Sequence, residues 1–129
     1  MEKTLNIDGK DIKFKATGGT CRMYRFYFRR DLLKDFARLE KKAEELEKSG
    51  DADNVSKFEL IDLEIFENLV WTMAKAANPN LPDMEVWLDG FETFSIYKNL
   101  HDILEILVGS MEQTVESKNH LAAVVNKRR

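Results

Sequence analysis

Asp8-Gly9 stands between two short runs that alternate apolar and polar residues, and this restricts the N-terminal part of the chain more tightly than any other feature. Both central residues of a type I′ turn need positive φ, which Asp-Gly tolerates. A two-residue loop then sets the pairing: Ile7 opposite Lys10, Leu5 opposite Ile12 and Lys3 opposite Phe14. In that register Leu5, Ile7, Ile12 and Phe14 lie on one face. A lone hairpin is marginal in water, so the hairpin expected over 3–16 needs a cover.

The cover has to be helical, because the rest of the chain reads with a period near 3.6. Thr17-Gly18-Gly19-Thr20 breaks the second strand, and Thr20 is a plausible N-cap for a long helix over about 21–48. Cys21, Tyr24, Phe28, Leu32, Phe36, Leu39, Ala43 and Leu46 form one stripe along it. Gly50 is the expected terminator, and Asp51-Ala52-Asp53-Asn54 a polar linker. A second helix is predicted over about 57–77, with Phe58, Ile65, Phe66, Leu69, Met73 and Ala76 as its main stripe. Leu60, Leu63 and Trp71 lie off that stripe, which places this helix either centrally or partly at an interface. Asn78-Pro79-Asn80-Leu81-Pro82 ends it. Asp83 is positioned to cap a short helix over about 84–90, closed by Gly90. A last helix over about 94–116 carries Ile96, Leu100, Ile103, Leu104, Leu107, Val108 and Met111 on one face. The expected fold is α+β and mainly helical: an N-terminal β-hairpin, then about four helices. It forms a single domain over 1–116, and 117–129 make a weakly structured basic tail.

With 129 residues, of which 43% are hydrophobic and 33% charged, the chain is long enough to bury a core. No run of about 18 apolar residues exists, so no membrane span is expected. The N-terminal residues lack the apolar stretch of a secretory signal, and the single cysteine fits a reducing compartment, so a cytoplasmic location is expected. Net charge is only −3, but it is segregated: six basic and two acidic residues lie between Arg22 and Arg38, and six acidic and one basic between Asp51 and Glu67. A further block of six acidic residues against one basic spans Asp83 to Glu105. Such blocks suggest contacts between elements of opposite sign, within one molecule or between molecules. They do not suggest a general nucleic-acid binder, which is basic overall.

The candidate chemical sites are sparse. Thr17-Gly18-Gly19-Thr20 before a helix could hold an anion, but it lacks the glycine and lysine spacing of a phosphate loop and reads better as an elbow. His101 and His120 have no paired cysteines near them, so no metal is expected. Cys21, next to Arg22 at a helix start, has no evident base and is better explained as a half-buried core residue. Among Glu64, Glu67, Asp89 and Glu92 nothing marks one acid/base pair above the others. Asp62 falls in the apolar arc of the second helix: if buried, it needs an arginine from the first helix. If it merely sits in the first turn, it complements the helix dipole, and that is the preferred reading. No nucleophile, base and orienting group stand out together, so catalysis, cofactor and metal are all expected to be absent.

Surface readings are more informative. Arg30, Lys34, Arg38 and Lys41 make a basic stripe at helical spacing, either a solvated face or a contact for an acidic partner. Phe26, Leu33 and Ala37 lie off the main apolar face of the same helix. Phe26, Leu33, Leu60 and Trp71 form an apolar surplus assigned to self-association or client binding, with Arg30, Lys34 and Arg38 beside them as candidate interaction residues.

Two stretches carry a family resemblance. The first is Ile7-Asp8-Gly9-Lys10, then Phe14-Lys15-Ala16-Thr17-Gly18-Gly19-Thr20, Tyr24-Arg25 and Arg30-Asp31-Leu32-Leu33-Lys34-Asp35. The second is Glu85-Val86-Trp87-Leu88-Asp89-Gly90-Phe91-Glu92-Thr93-Phe94, continuing through Ile96-Tyr97 and Leu100 to Leu107. In this order, separated by an acidic helix, they resemble the tail assembly chaperones of long-tailed phages and prophages of Gram-positive bacteria, over most of residues 5–115. The resemblance implies a small α-rich fold with an N-terminal β element. It also implies a non-catalytic protein that binds the tape measure protein, helps recruit tail tube protein, self-associates and is absent from the finished tail. Many members are followed by a programmed frameshift, which Asn126-Lys127-Arg128-Arg129 could accommodate here. Typical members have proline where this chain has Cys21, and the likeness is weak after Val115. The alternative expectation is a small prophage adaptor or regulatory protein that binds a host protein or nucleic acid through the basic stripe.

Overall fold

The computed structural model describes residues 1–49 and 58–110. Strands β1 (Glu2–Ile7) and β2 (Lys10–Lys15) pair antiparallel with Ile7 opposite Lys10, Leu5 opposite Ile12 and Lys3 opposite Phe14, the register expected from the turn. Asp8 and Gly9 both have positive φ, 55° and 77°. Leu5, Ile7 and Phe14 are buried, and Ile12 packs against the same core. Five helices follow among the described residues: α1 (Thr20–Phe28), α2 (Leu32–Ser49), α3 (Leu60–Ala77), α4 (Met84–Asp89) and α5 (Ile96–Ser110). The fold is α+β and mainly helical.

α3 is the hub. It contacts β2, α1, α2 and α5. Ile65, Phe66, Leu69, Val70, Trp71, Met73 and Ala74 are all buried, so the helix is apolar on most of its circumference, as a helix enclosed by neighbours must be. Each such large side chain, fully buried, contributes about 1.5–3 kcal/mol. Thr72 sits in the same run and satisfies its hydroxyl on the Asn68 carbonyl at 2.7 Å. Trp71, expected at an interface, is 5% exposed and belongs to the core.

The helix expected over 21–48 is two helices. Arg29 adopts the left-handed region (φ 58°, ψ 36°), and its N–H donates to the Arg25 carbonyl to close α1. Asp31 then opens α2: its Oδ1 accepts the Leu33 N–H at 3.0 Å and its carbonyl accepts the Asp35 N–H. The apolar stripe gave no sign of the break, because Tyr24, Phe28, Leu32, Phe36 and Leu39 keep their four-residue rhythm across it. All of them are buried or packed on the core.

Several boundaries and caps also differ from expectation. Gly19, not Thr20, is the N-cap of α1; Thr20 is buried, and its hydroxyl accepts the Thr17 N–H at 2.7 Å, closing the elbow from within. α3 starts at Leu60, where Glu59 and Asp62 form a reciprocal capping box. Asp83 occupies the N-cap of α4 without a side-chain cap bond. α5 starts at Ile96, with the Ser95 hydroxyl accepting the Lys98 N–H. Val108, placed on the core face of α5, is exposed. Gly50, the 51–54 linker, Met111, His120 and the tail 117–129 lie outside the described residues.

The hairpin is fastened to the α4–α5 connection 80 to 85 residues away. Asp8 Oδ2 accepts the Glu92 N–H at 2.9 Å, Asp8 Oδ1 accepts the Thr93 hydroxyl, and the Lys10 ammonium donates to the Gly90 carbonyl. Lys10 also lies 5.0 Å above the Phe91 ring. Phe91 and Phe94 stack edge-on with each other and with Trp87, and Phe94 with Phe66 of α3, which ties the same connection to the hub.

A Cβ on Gly9 would touch nothing within 4 Å, so the residue is required for its dihedral alone. Gly9→Ala is expected to lower stability by about 1–2 kcal/mol. Gly18→Ala, equally free of contacts and without a positive φ, should be neutral or slightly stabilising. Urea unfolding of the two variants separates these outcomes.

Candidate functional site

The arginines of α1 and α2 fall into two groups according to whether a carboxylate faces them. Asp35, buried on α2, accepts Arg30 Nε and Nη2 at 2.8 and 2.9 Å, and accepts the Tyr24 hydroxyl at 2.5 Å. This forked pair bridges the break between the helices. Burial, then the hydrogen bond to Asp35 and its charge, push the Tyr24 phenol well above its ordinary range, and Arg30 is held protonated by Asp35. Further along α2, Arg38 Nε donates to Asp62 Oδ1 at 2.5 Å, and its Nη2 reaches Glu59 at 3.2 Å. Asp62 is 0% exposed, and its second oxygen accepts the Glu59 N–H at 2.8 Å, with Lys42 4.0 Å away.

Asp62 therefore does not merely complement the helix dipole. It is in the first turn, as preferred, but it is also buried and paired with an arginine of the preceding helix, the reading set second. The basic stripe is correspondingly broken. Arg30 and Arg38 face inward to Asp35 and Asp62, whereas Lys34 and Lys41 are exposed. Two of its four members are thus engaged by carboxylates of the same chain, although Arg30 and Arg38 each remain 39% exposed.

The apolar surplus also divides. Phe26 is 68% exposed and Leu33 54%, with Ala37 exposed on the same helix as Leu33. Leu60 is 82% exposed, but it begins α3 about 16 Å along the axis from Trp71. Trp71 packs edge-on against Tyr27 and Phe28 at 4.8 and 5.9 Å and donates its indole N–H to the Pro82 carbonyl at 3.0 Å. It joins α1, α3 and the 78–83 connection, and no partner can reach it without unpacking them. Tyr27 in turn stacks edge-on with Phe26 at 5.2 Å, so an aromatic ladder leads from the core to the surface.

Where the ladder surfaces, the break between α1 and α2 opens a cleft of about 470 Å³. Arg22, Arg25, Arg29 and Arg30 line it together with Asp31, Leu33 and the side of Cys21. Among the described residues, Arg22, Arg25 and Arg29 make no ion pair. These three were missed as candidates. They were visible as arginines at i, i+3 and i+7, one face of a helix. The stripe 30, 34, 38, 41 was favoured because it was extrapolated along a helix that stops at residue 28.

A second cleft of about 270 Å³ lies between α2 and α5, lined by Glu40, Glu44, Glu47, Glu105, His101 and Val108 among others. No group of three His, Cys, Asp or Glu among the described residues has the geometry to hold a metal ion. At the elbow, the Thr17, Gly19 and Thr20 N–H groups are satisfied by the elbow's own Thr20 and Thr17 oxygens, which leaves those three amides engaged within the turn. Cys21 is the opposite of an activated thiol: burial, then the nearby Asp31 charge, push its pKa up. Among the described residues no helix is long and apolar enough to cross a membrane.

Comparison with family models, with curated proteins and with solved structures found no match to this chain.

Two tests follow from this geometry. Asp62→Ala removes a buried carboxylate that accepts charged and backbone donors, and is expected to destabilise by about 1.5–3 kcal/mol, against under about 0.5 for exposed Glu64→Ala; thermal and urea unfolding measure both. Cys21 should be alkylated by iodoacetamide at mildly alkaline pH at least about threefold more slowly than free cysteine. A faster reaction would overturn the assignment of a raised thiol pKa.

Proposed function

We propose that this protein is a tail assembly chaperone of a long-tailed phage or prophage. It acts without catalysis or cofactor, in the cytoplasm of the host bacterium. It binds the tape measure protein, helps recruit tail tube protein, self-associates and is left out of the mature virion. The reading starts from the resemblance in the two stretches around the hairpin–elbow and the α4–α5 connection. It is supported by their meeting in space: Asp8 and Lys10 of the first stretch bond Gly90, Glu92 and Thr93 of the second.

The observation that carries the protein-binding part is the exposure of Phe26 and Leu33. Large apolar side chains on a solvent-facing surface beside a charged cleft are suited to docking another protein, as an amphipathic helix is docked in a groove. The tape measure protein, a long helical chain in this family's description, offers such a helix. The alternative, an adaptor or regulator working through the basic stripe of the first helix, would have to share Arg30 and Arg38 with Asp35 and Asp62, which already pair with them.

The decisive measurement is co-purification with the tape measure protein of the same genome, followed by light scattering. A soluble complex of defined mass is expected, and a client that aggregates alone and unbound would overturn the proposal. Phe26→Asp with Leu33→Asp should leave stability within about 1 kcal/mol and reduce recovery of the complex at least about tenfold. Trp71→Ala should instead cost about 3–5 kcal/mol, because it empties a core site.

A further inference from the structure

Three exposed arginines stand along one wall of the cleft, and they differ from the arginines beside them in having no carboxylate partner among the described residues. Arg30 has Asp35, and Arg38 has Asp62 and Glu59. Arg22, Arg25 and Arg29 have none among the described residues, and all three line the cleft. Their spacing of three and four residues spreads them over about 10 Å of the α1 axis. The last of them is held in a left-handed conformation, which costs a non-glycine residue roughly 1–2 kcal/mol. That conformation ends α1 and lets α2 turn away, and the cleft opens between them.

The surroundings narrow the class of ligand. Leu33 lines the cleft and Phe26 lies one helical turn from both Arg22 and Arg29; both are largely exposed. A simple inorganic anion would leave these apolar groups in water. A nucleic-acid backbone, whose phosphates continue beyond three arginines, would run on to a surface of a chain that is acidic overall, with net charge −3. We infer that the Arg22–Arg25–Arg29 cleft binds an acidic amphipathic helix of a partner protein, its carboxylates one turn apart on the arginines and its apolar residues against Phe26 and Leu33. Guanidinium forks suit this task because they pair with carboxylates in two-point contact. This inference rests on the protein-binding reading of the same surface, and it specifies the charge of the segment bound.

The test uses the full chain and a labelled synthetic helix of about 20 residues with glutamates one turn apart and a leucine stripe beside them. Its glutamine twin and a single-stranded oligonucleotide of similar length are the comparison probes, with binding read by fluorescence anisotropy. The glutamate helix should bind, weaken steeply with added salt, and bind at least about tenfold better than its twin. Arg22→Gln with Arg25→Gln should remove about tenfold of that affinity without changing the unfolding midpoint, and Phe26→Ala should weaken both peptides. Arg29→Gln is a second charge variant that asks nothing new of the backbone.

Equal binding of the twin, or an oligonucleotide that binds as well and competes, would overturn the inference. So would a double variant whose only change is a smaller oligomer in light scattering, since the occupant would then be a second copy of the chain. Failure of the two readings is separable. If the double variant still co-purifies with the tape measure protein, the cleft assignment falls and the chaperone reading stands. If the glutamate helix binds but the tape measure protein does not, the reverse holds.

Discussion

α3 has apolar side chains on too much of its circumference to lie at a surface, and the other elements are arranged by the need to enclose it. β2, α1, α2 and α5 all pack on it. The hairpin, which could not hold its own apolar face out of water, gains its cover from the same helix. The enclosure also forces the handling of charge. Asp62 enters the interior with α3, and a carboxylate taken out of water must be met by donors; Arg38 and the Glu59 N–H supply them, and the Lys42 charge lies 4.0 Å away.

The left-handed residue Arg29 has consequences larger than a bend. A helix continuous from residue 20 to 49 would carry Tyr24 and Asp35 three turns apart on one rod. Breaking it lets Asp35 fold back to the Tyr24 hydroxyl and the Arg30 fork, so that one buried carboxylate fixes the angle between α1 and α2. The arginine cleft opens at the same break. The structural arginines and the candidate binding arginines are thus neighbours in sequence, distinguished by whether a carboxylate meets each one: Arg30 lines the same cleft but is paired with Asp35.

The aromatic residues divide similarly. Trp71, Tyr27 and Phe26 form a ladder whose inner rung is fixed by Pro82 and whose outer rung stands in solvent. Such a surface residue is held by packing from beneath, which lowers the ordering cost of any helix docked on it. Lys75 lies 6.0 Å from the Trp71 ring and donates to the Leu81 carbonyl, which closes the inner end of the ladder against the connection that follows α3.

The hairpin, its turn and its register were legible residue by residue, because positive φ at Asp8-Gly9 and a two-residue period are local properties. The stripes of α2, α3 and α5 were legible for the same reason, and so was the excess of apolar residues that made α3 a candidate for the centre. The break at Arg29 was not, because an apolar rhythm of four continues through it; Asp31 as an N-cap, in a run of 28 residues with no cap inside, was the available signal. Nor could local pattern decide that Trp71 lies inside while Phe26 and Leu33 lie outside, that Arg38 meets Asp62 while Arg22, Arg25 and Arg29 meet no carboxylate among the described residues, or that Asp8 fastens to Glu92. Period and turn chemistry act between residues a few positions apart, whereas burial and ion pairing are settled only when distant elements pack and each charge finds, or fails to find, a partner.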